Sequence, residues 1–181
     1  MARVVRGYVS LLYRYPLSTQ MLSSGVLVGS GDLISQIVFE HKIQTGSYDP
    51  IRTVRFAGLG TFFVAPAINR WYLLLEKVTV GGPKFYPLAR VVLDQTVASP
   101  VMLVSFISLL NVTSGESLET TKAAIKRDFM DVFITGLKIW PATQLVNFYF
   151  IPLNFRLLMV QSVGLLWNVY LSWRTHKFSQ H

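Results

Sequence analysis

The chain contains no cysteine among its 181 residues. Disulfides, thiolate metal sites and thiol redox switching are therefore excluded. Charge is scarce: 14% of residues are Asp, Glu, Lys or Arg, against about a quarter in soluble domains. Acid is scarcer than base, nine residues against 17, and no acid precedes Asp32. The three histidines, His41, His176 and His181, lie outside the apolar stretches and form no ligand pair at helical spacing, so no metal site is expected. No serine in the apolar runs has a histidine partner. A nucleophile–base pair is thus missing, and neither enzymatic activity nor a cofactor is expected. Lys and Arg are spread along the whole chain instead of forming a basic face. This argues against direct nucleic-acid binding and suits contact with anionic membrane lipid.

What the chain has in quantity is apolar surface. Half the residues are hydrophobic, 51%, and aromatics reach 13%; mean hydropathy is positive. The length leaves room for one helical bundle and no separate soluble domain. Four stretches have the length of about 20 residues that a bilayer demands: 18–39, 54–77, 88–111 and 153–173. A fifth, about 130–150, is apolar apart from Asp131 and Lys138. Loop signals separate them at Gln44–Pro50, Gly81-Gly82-Pro83 and Thr113–Ser117. Pro152 is placed to break the chain before the last span. The fold expected is all-α: an integral membrane helical bundle of four to five spans (16–174) with an amphipathic N-terminal segment (1–15) and a short basic tail (175–181).

That N-terminal segment reads MARVVRGYVSLLYRY. Arg3, Arg6, Ser10 and Arg14 fall on one side of a helix, opposite Val4, Tyr8, Leu11, Leu12 and Tyr15. An acid-poor, arginine-rich amphipathic helix has the character of a mitochondrial presequence and equally of an interfacial helix lying on the membrane. A secretory signal peptide is not expected, so the Asn111-Val112-Thr113 sequon is read as chance.

The polar residues of the apolar stretches are the candidates for function. Gly25, Gly29, Asp32 and Gln36 share one face of the first span. The two glycines read as a close helix-packing pair. In the third span Asp94, Ala98, Val101 and Ser105 align, with Gln95 beside Asp94 and Arg90 one turn earlier. Asp131, Thr135 and Lys138 stack on the fifth stretch, and Arg70 and Arg156 read as further cations of the interior. From Trp140 to Trp173 the aromatic run carries Gln144, Asn147, Asn154, Arg156, Gln161 and Asn168. An ionisable group in hydrocarbon costs about 2.5–3.5 kcal/mol on insertion scales, which makes such residues functional candidates by default.

Two readings stand for this set. Asp32, Gln36, Arg70, Asp94, Gln95, Lys138, Asn147, Arg156 and Asn168 either line a path for small solutes or ions, or neutralise and hydrogen-bond one another as interhelical glue worth about 0.6 kcal/mol each. A lining with charges of both signs would be poorly selective. Trp71, Tyr72, Trp140, Trp167, Tyr170 and Trp173 read as interfacial anchors or packing residues. The halves also echo each other faintly: Asp32 and Gln36 in Asp94 and Gln95, and Pro66-Ala67 with Asn69–Tyr72 in Pro141-Ala142 with Asn147–Tyr149.

Several pieces in order along almost the whole chain carry a specific resemblance. They are Gly31–Gln36, Pro66 with Trp71-Tyr72, Leu93-Asp94-Gln95 with Pro100, Trp140-Pro141-Ala142 with Gln144, Asn147-Phe148-Tyr149, Pro152-Leu153 with Arg156, and Trp167-Asn168 with Tyr170–Trp173. The chain resembles the Mpv-seventeen / peroxisomal-membrane-protein-twenty-two family, and its Tyr-Leu-Ser-Trp ending before a basic tail resembles the Mpv-seventeen branch. The resemblance implies a multi-pass protein of the mitochondrial inner membrane, with the peroxisomal membrane as the alternative. It also implies a non-selective channel that modulates membrane potential and bears on mitochondrial DNA maintenance, nucleotide supply and reactive-oxygen metabolism. It implies no catalysis and only an indirect link to DNA. Thiol-based gating cannot operate in a chain without cysteine. The rival expectation is a non-conducting scaffold or assembly factor, and a homo-oligomer fits either.

Overall fold

The computed structural model describes residues 2–40, 42 and 46–178, the side chains of 2, 4, 5, 39 and 168–178 excepted. Among the described residues the secondary structure is helical throughout: α1 (Ala2–Arg14), α2 (Pro16–Ile34), α3 (Pro50–Leu59), α4 (Ala65–Leu75), α5 (Tyr86–Leu93), α6 (Ser99–Thr113), α7 (Leu118–Gly136), α8 (Trp140–Phe150) and α9 (Leu153–Phe178). Among the described residues three helices are long and apolar enough to cross a membrane: Pro16–Val38, Pro50–Leu75 and Tyr86–Thr113. The described side chains of α9 form an apolar helical stretch, Leu153–Trp167.

Each of the three long helices contains a π-helical turn: Ser35–Phe39, Gly60–Val64 and Asp94–Ala98. Two of these have a direct cause in the sequence. Proline has no N–H to give the carbonyl four residues back, and its ring crowds that carbonyl. Pro66 and Pro100 each stand two residues beyond a π turn. Widening the preceding turn relieves the conflict and lets the helix continue.

The helix ends follow local chemistry. Asp49 caps α3 by accepting the Arg52 N–H at 3.0 Å, with Pro50 in the first turn. Ser117 caps α7 by accepting the Thr120 N–H at 3.1 Å, and Glu119 sits in its first turn where the helix dipole favours an anion. Gly115 between α6 and α7 has φ 81°, a left-handed conformation that only glycine adopts freely. The fifth expected stretch is not one helix. Its chain leaves α7 at Gly136 and enters α8 at Trp140, because Pro141 lacks the N–H that would continue the ladder. α8 ends at Phe150 before Pro152, and α9 runs on to Phe178, into the segment expected as a tail.

The chain divides into two compact units, residues 1–70 with 152–181, and residues 71–151. In the first unit α2 is the hub, packing on α1, α3 and α9. Leu12 of α1 is fully buried, and Tyr8 and Ser23 share a hydrogen bond of 2.8 Å between α1 and α2. The face with Gly25 and Gly29 meets α3: a methyl at Gly29 would lie 3.0 Å from Ala57 Cβ. Polar side chains tie this unit together. Ser24 donates to the Gly60 carbonyl at 2.8 Å and accepts from Gln161 Nε2 at 2.7 Å, joining three helical segments. Gln20 donates to the Asn154 carbonyl at 3.0 Å and accepts from Asn69 Nδ2 at 2.7 Å. In the second unit α5 packs on α8 and α6 on α7, and α6 has no buried residue.

Candidate functional site

The first unit holds a charged cluster where α2 ends and α3 begins. Asp32 and Gln36 lie one turn apart on α2 and its π turn, both buried. Gln36 Nε2 donates to Asp32 Oδ2 at 2.8 Å and to the Asp49 carbonyl at 3.0 Å, while its Oε1 accepts the Asp49 N–H at 2.9 Å. Thr53 Oγ1 donates to Asp32 Oδ2 at 2.7 Å. Arg52 bridges two acids. Its Nε lies 2.7 Å from Asp32 Oδ1 as a charge contact off the hydrogen-bond line. Its two terminal nitrogens donate to Glu40 at 2.9 and 2.8 Å, and Lys42 adds a second cation 3.0 Å from Glu40. Two carboxylates thus face two cations. The Arg52 fork fits the Glu40 carboxylate in bidentate fashion, the strongest form of such a pair.

The second unit holds a cluster of different character around Asp94. Three neutral donors converge on its carboxylate. Trp71 Nε1 reaches Oδ1 at 2.9 Å, and Gln95 Nε2 and Gln144 Nε2 reach Oδ2 at 2.9 and 2.8 Å. Gln144 also bonds the Tyr72 hydroxyl, and Asn147 Nδ2 donates to Gln144 Oε1 at 2.9 Å. Phe148 closes one side, its ring edge-on to Tyr72 at 5.6 Å. Among the described residues no cation lies within ion-pair distance of Asp94. Arg90, one turn earlier, is turned to Glu76 instead, donating to its Oε1 at 2.7 Å and its carbonyl at 3.1 Å. Asp94 and Gln95, the first two residues of the π turn, are both buried.

The expected site residues separate by position. Asp32, Gln36, Asp94, Gln95, Asn147 and Arg156 are buried. Arg70 and Lys138 are exposed and lie outside the packed interior. On α4 the buried stripe passes through Ala65, Tyr72 and Leu75, and the helical period turns Arg70 away from it. Lys138 lies in the turn between α7 and α8 and so cannot share a helix face with Asp131, itself exposed. The side chain of Asn168 lies outside the described residues. Ala98, Val101 and Ser105 do not continue the Asp94 face: the extra residue of the π turn rotates α6, and Val101 is 58% exposed.

Sequence reasoning missed Arg52, Glu40 and Glu76, and it read Trp71 and Tyr72 as interfacial anchors or packing residues without the hydrogen bonds by which their polar atoms reach the Asp94 cluster. Two signals were available. An Asp-Pro pair marks a helix start with Arg52 on its first turn, and a buried indole N–H or phenol demands a partner.

Comparison with known proteins gives the kinship. The Mpv17 / PMP22 family pattern matches residues 111–172. A Xenopus laevis protein named mitochondrial inner membrane protein Mpv17 is 42% identical over 98% of this chain and 99% of its own length. Proteins of the same name from Danio rerio and Homo sapiens are 37% and 38% identical, over 98% and 95% of this chain and 99% and 97% of theirs. No solved structure matches the chain. Matched over nearly its whole length by relatives about 40% identical to it, the chain belongs to the Mpv17 / PMP22 family.

Proposed function

We propose that this family member is a weakly selective channel for small solutes or ions in the mitochondrial inner membrane, without catalytic activity of its own. The observation that carries the reading is Asp94: a buried carboxylate within a helix able to span the membrane, held by neutral donors alone. A carboxylate kept only for packing is better replaced by an apolar residue, given its cost in hydrocarbon. The location rests on the names of the full-length relatives. Dissipating ion gradients would modulate membrane potential, and through it the mitochondrial homeostasis on which DNA maintenance and reactive-oxygen metabolism depend. Single-channel recording of the purified protein in planar bilayers, beside Asp94→Asn, tests it. The expected result is conductance whose reversal potential under a salt gradient shifts in the variant. Silence of well-folded protein at every voltage refutes it.

A specific observation favours the second reading, a non-conducting scaffold. The Gln20–Asn69–Asn154 and Ser24–Gly60–Gln161 groups bond each other across helices and need nothing further to explain them. In a scaffold, Asp94→Asn would lower stability and leave no flux to lose.

A further inference from the structure

The Asp94 cluster has more acceptors than its own donors satisfy. Gln95 Oε1 and Asn147 Oδ1 are both buried and accept no hydrogen bond, on residues that are 7% and 0% exposed. Both belong to the cluster. The amide of Gln95 is fixed on Asp94 through its nitrogen, and that of Asn147 is fixed on Gln144, which itself donates to Asp94. A carboxylate offers about four lone-pair sites; three are used here, one on Oδ1 and two on Oδ2. One charged oxygen position and two amide oxygens are thus left without donors, in surroundings where an orphaned acceptor is costly.

Oxygen acceptors in surplus around one negative charge are what a hard cation requires. The donor set narrows the class. It contains no sulfur and no imidazole, which disfavours transition metals. Among the described residues no three acids or histidines converge, and one carboxylate balances one positive charge, not two. We propose that the Asp94 cluster binds a single monovalent alkali cation, with the Asp94 carboxylate and the amide oxygens of Gln95 and Asn147 as ligands. Trp71 and Gln144 are positioning residues that hold the carboxylate from its other side. The site is a property of this unit alone and does not require that the chain conduct.

Scintillation-proximity binding of 22Na⁺ to the purified full-length protein in detergent, with choline keeping ionic strength constant, reads the site on wild type. Saturable binding near one ion per chain, displaced by K⁺ and not by choline, is expected. Asp94→Asn should weaken it by at least tenfold, and Gln95→Met, which keeps the carboxylate and removes an amide oxygen, should weaken it measurably. Asp128→Asn, which removes a carboxylate from the surface of α7, should leave it intact. Absence of saturable binding to folded wild type overturns the proposal and leaves the surplus oxygens to water. Undiminished binding in a folded Asp94→Asn protein overturns it too. Binding without conductance would sink the channel and keep the site; conductance without binding would do the reverse.

Discussion

Gly60→Ala and Gly58→Ala differ by one methyl placed two residues apart on the same helix, and the structure gives them opposite signs. At Gly60 a Cβ would lie 2.9 Å from the Ser24 carbonyl oxygen and 2.9 Å from Val28 Cβ. The first of these is backbone, so α2 must move away from the π turn at 60–64. Forced overpacking costs about 1–3 kcal/mol. Separation also lengthens the 2.8 Å bond from Ser24 Oγ to the Gly60 carbonyl, a further loss of about 1 kcal/mol. Alanine returns about 1 kcal/mol of helix propensity. The net loss is about 1–3 kcal/mol, or about 2–12 °C in midpoint at about 2–4 °C per kcal/mol for a chain of this size. At Gly58 a Cβ meets nothing within 4 Å, so only the propensity gain remains and the midpoint should rise by about 2–4 °C. The assay is thermal unfolding in detergent followed by tryptophan fluorescence, since a thiol dye has nothing to label. Equal stability of the two variants would refute the packing of α2 on this turn.

Arg52→Ala should be the most destabilising change of a charged residue. It strips a cation from Asp32 and Glu40, whose side chains are 0% and 1% exposed, and breaking such a buried pair costs about 3–5 kcal/mol. Arg52→Lys should recover only part of this because it lacks the fork; full recovery, measured by the same thermal midpoint, would show that charge alone matters there. Leu12→Ala should cost about 2–5 kcal/mol, since the side chain is fully buried. Leu11→Ala, at a residue 51% exposed, should cost less than about 1 kcal/mol. Equal, small effects would mean that α1 is not part of the folded unit, as a removable leader would predict.

The long apolar helices were legible because hydrophobic length is a one-dimensional property. Their interruptions were harder to see. Pro66 and Pro100 were noticed as landmarks, yet a proline in a span signals a conflict without saying how the chain resolves it. Here the answer is a π turn, which adds a residue and rotates everything beyond it. That rotation is why the helical alignment of Asp94 with Val101 fails while that of Gly25, Gly29, Asp32 and Gln36, which lies almost wholly before its own π turn, holds together as one buried face. The shared helix face of Asp131 and Lys138 is lost for a related reason: Pro141 ends the helical register on which it was counted.

The harder distinction, between polar residues that bind helices to each other and polar residues that bind something else, is invisible to hydropathy and spacing. Gln20, Ser24, Gln36, Gln144 and Asn147 look alike in sequence. In the folded chain Gln20 and Gln36 each use both ends of the amide, and Ser24 both donates and accepts. These groups are closed. Around Asp94 the count does not close, because Gln95 and Asn147 spend their N–H groups inside the cluster and leave their oxygens without donors. In a low-dielectric interior a satisfied network stiffens the fold, whereas a surplus of oxygens beside a carboxylate is an electrostatic well for a cation. In the first unit Asp32 Oδ1 also accepts no hydrogen bond, but Arg52 Nε stands 2.7 Å from it and balances its charge; among the described residues no cation does the same for Asp94.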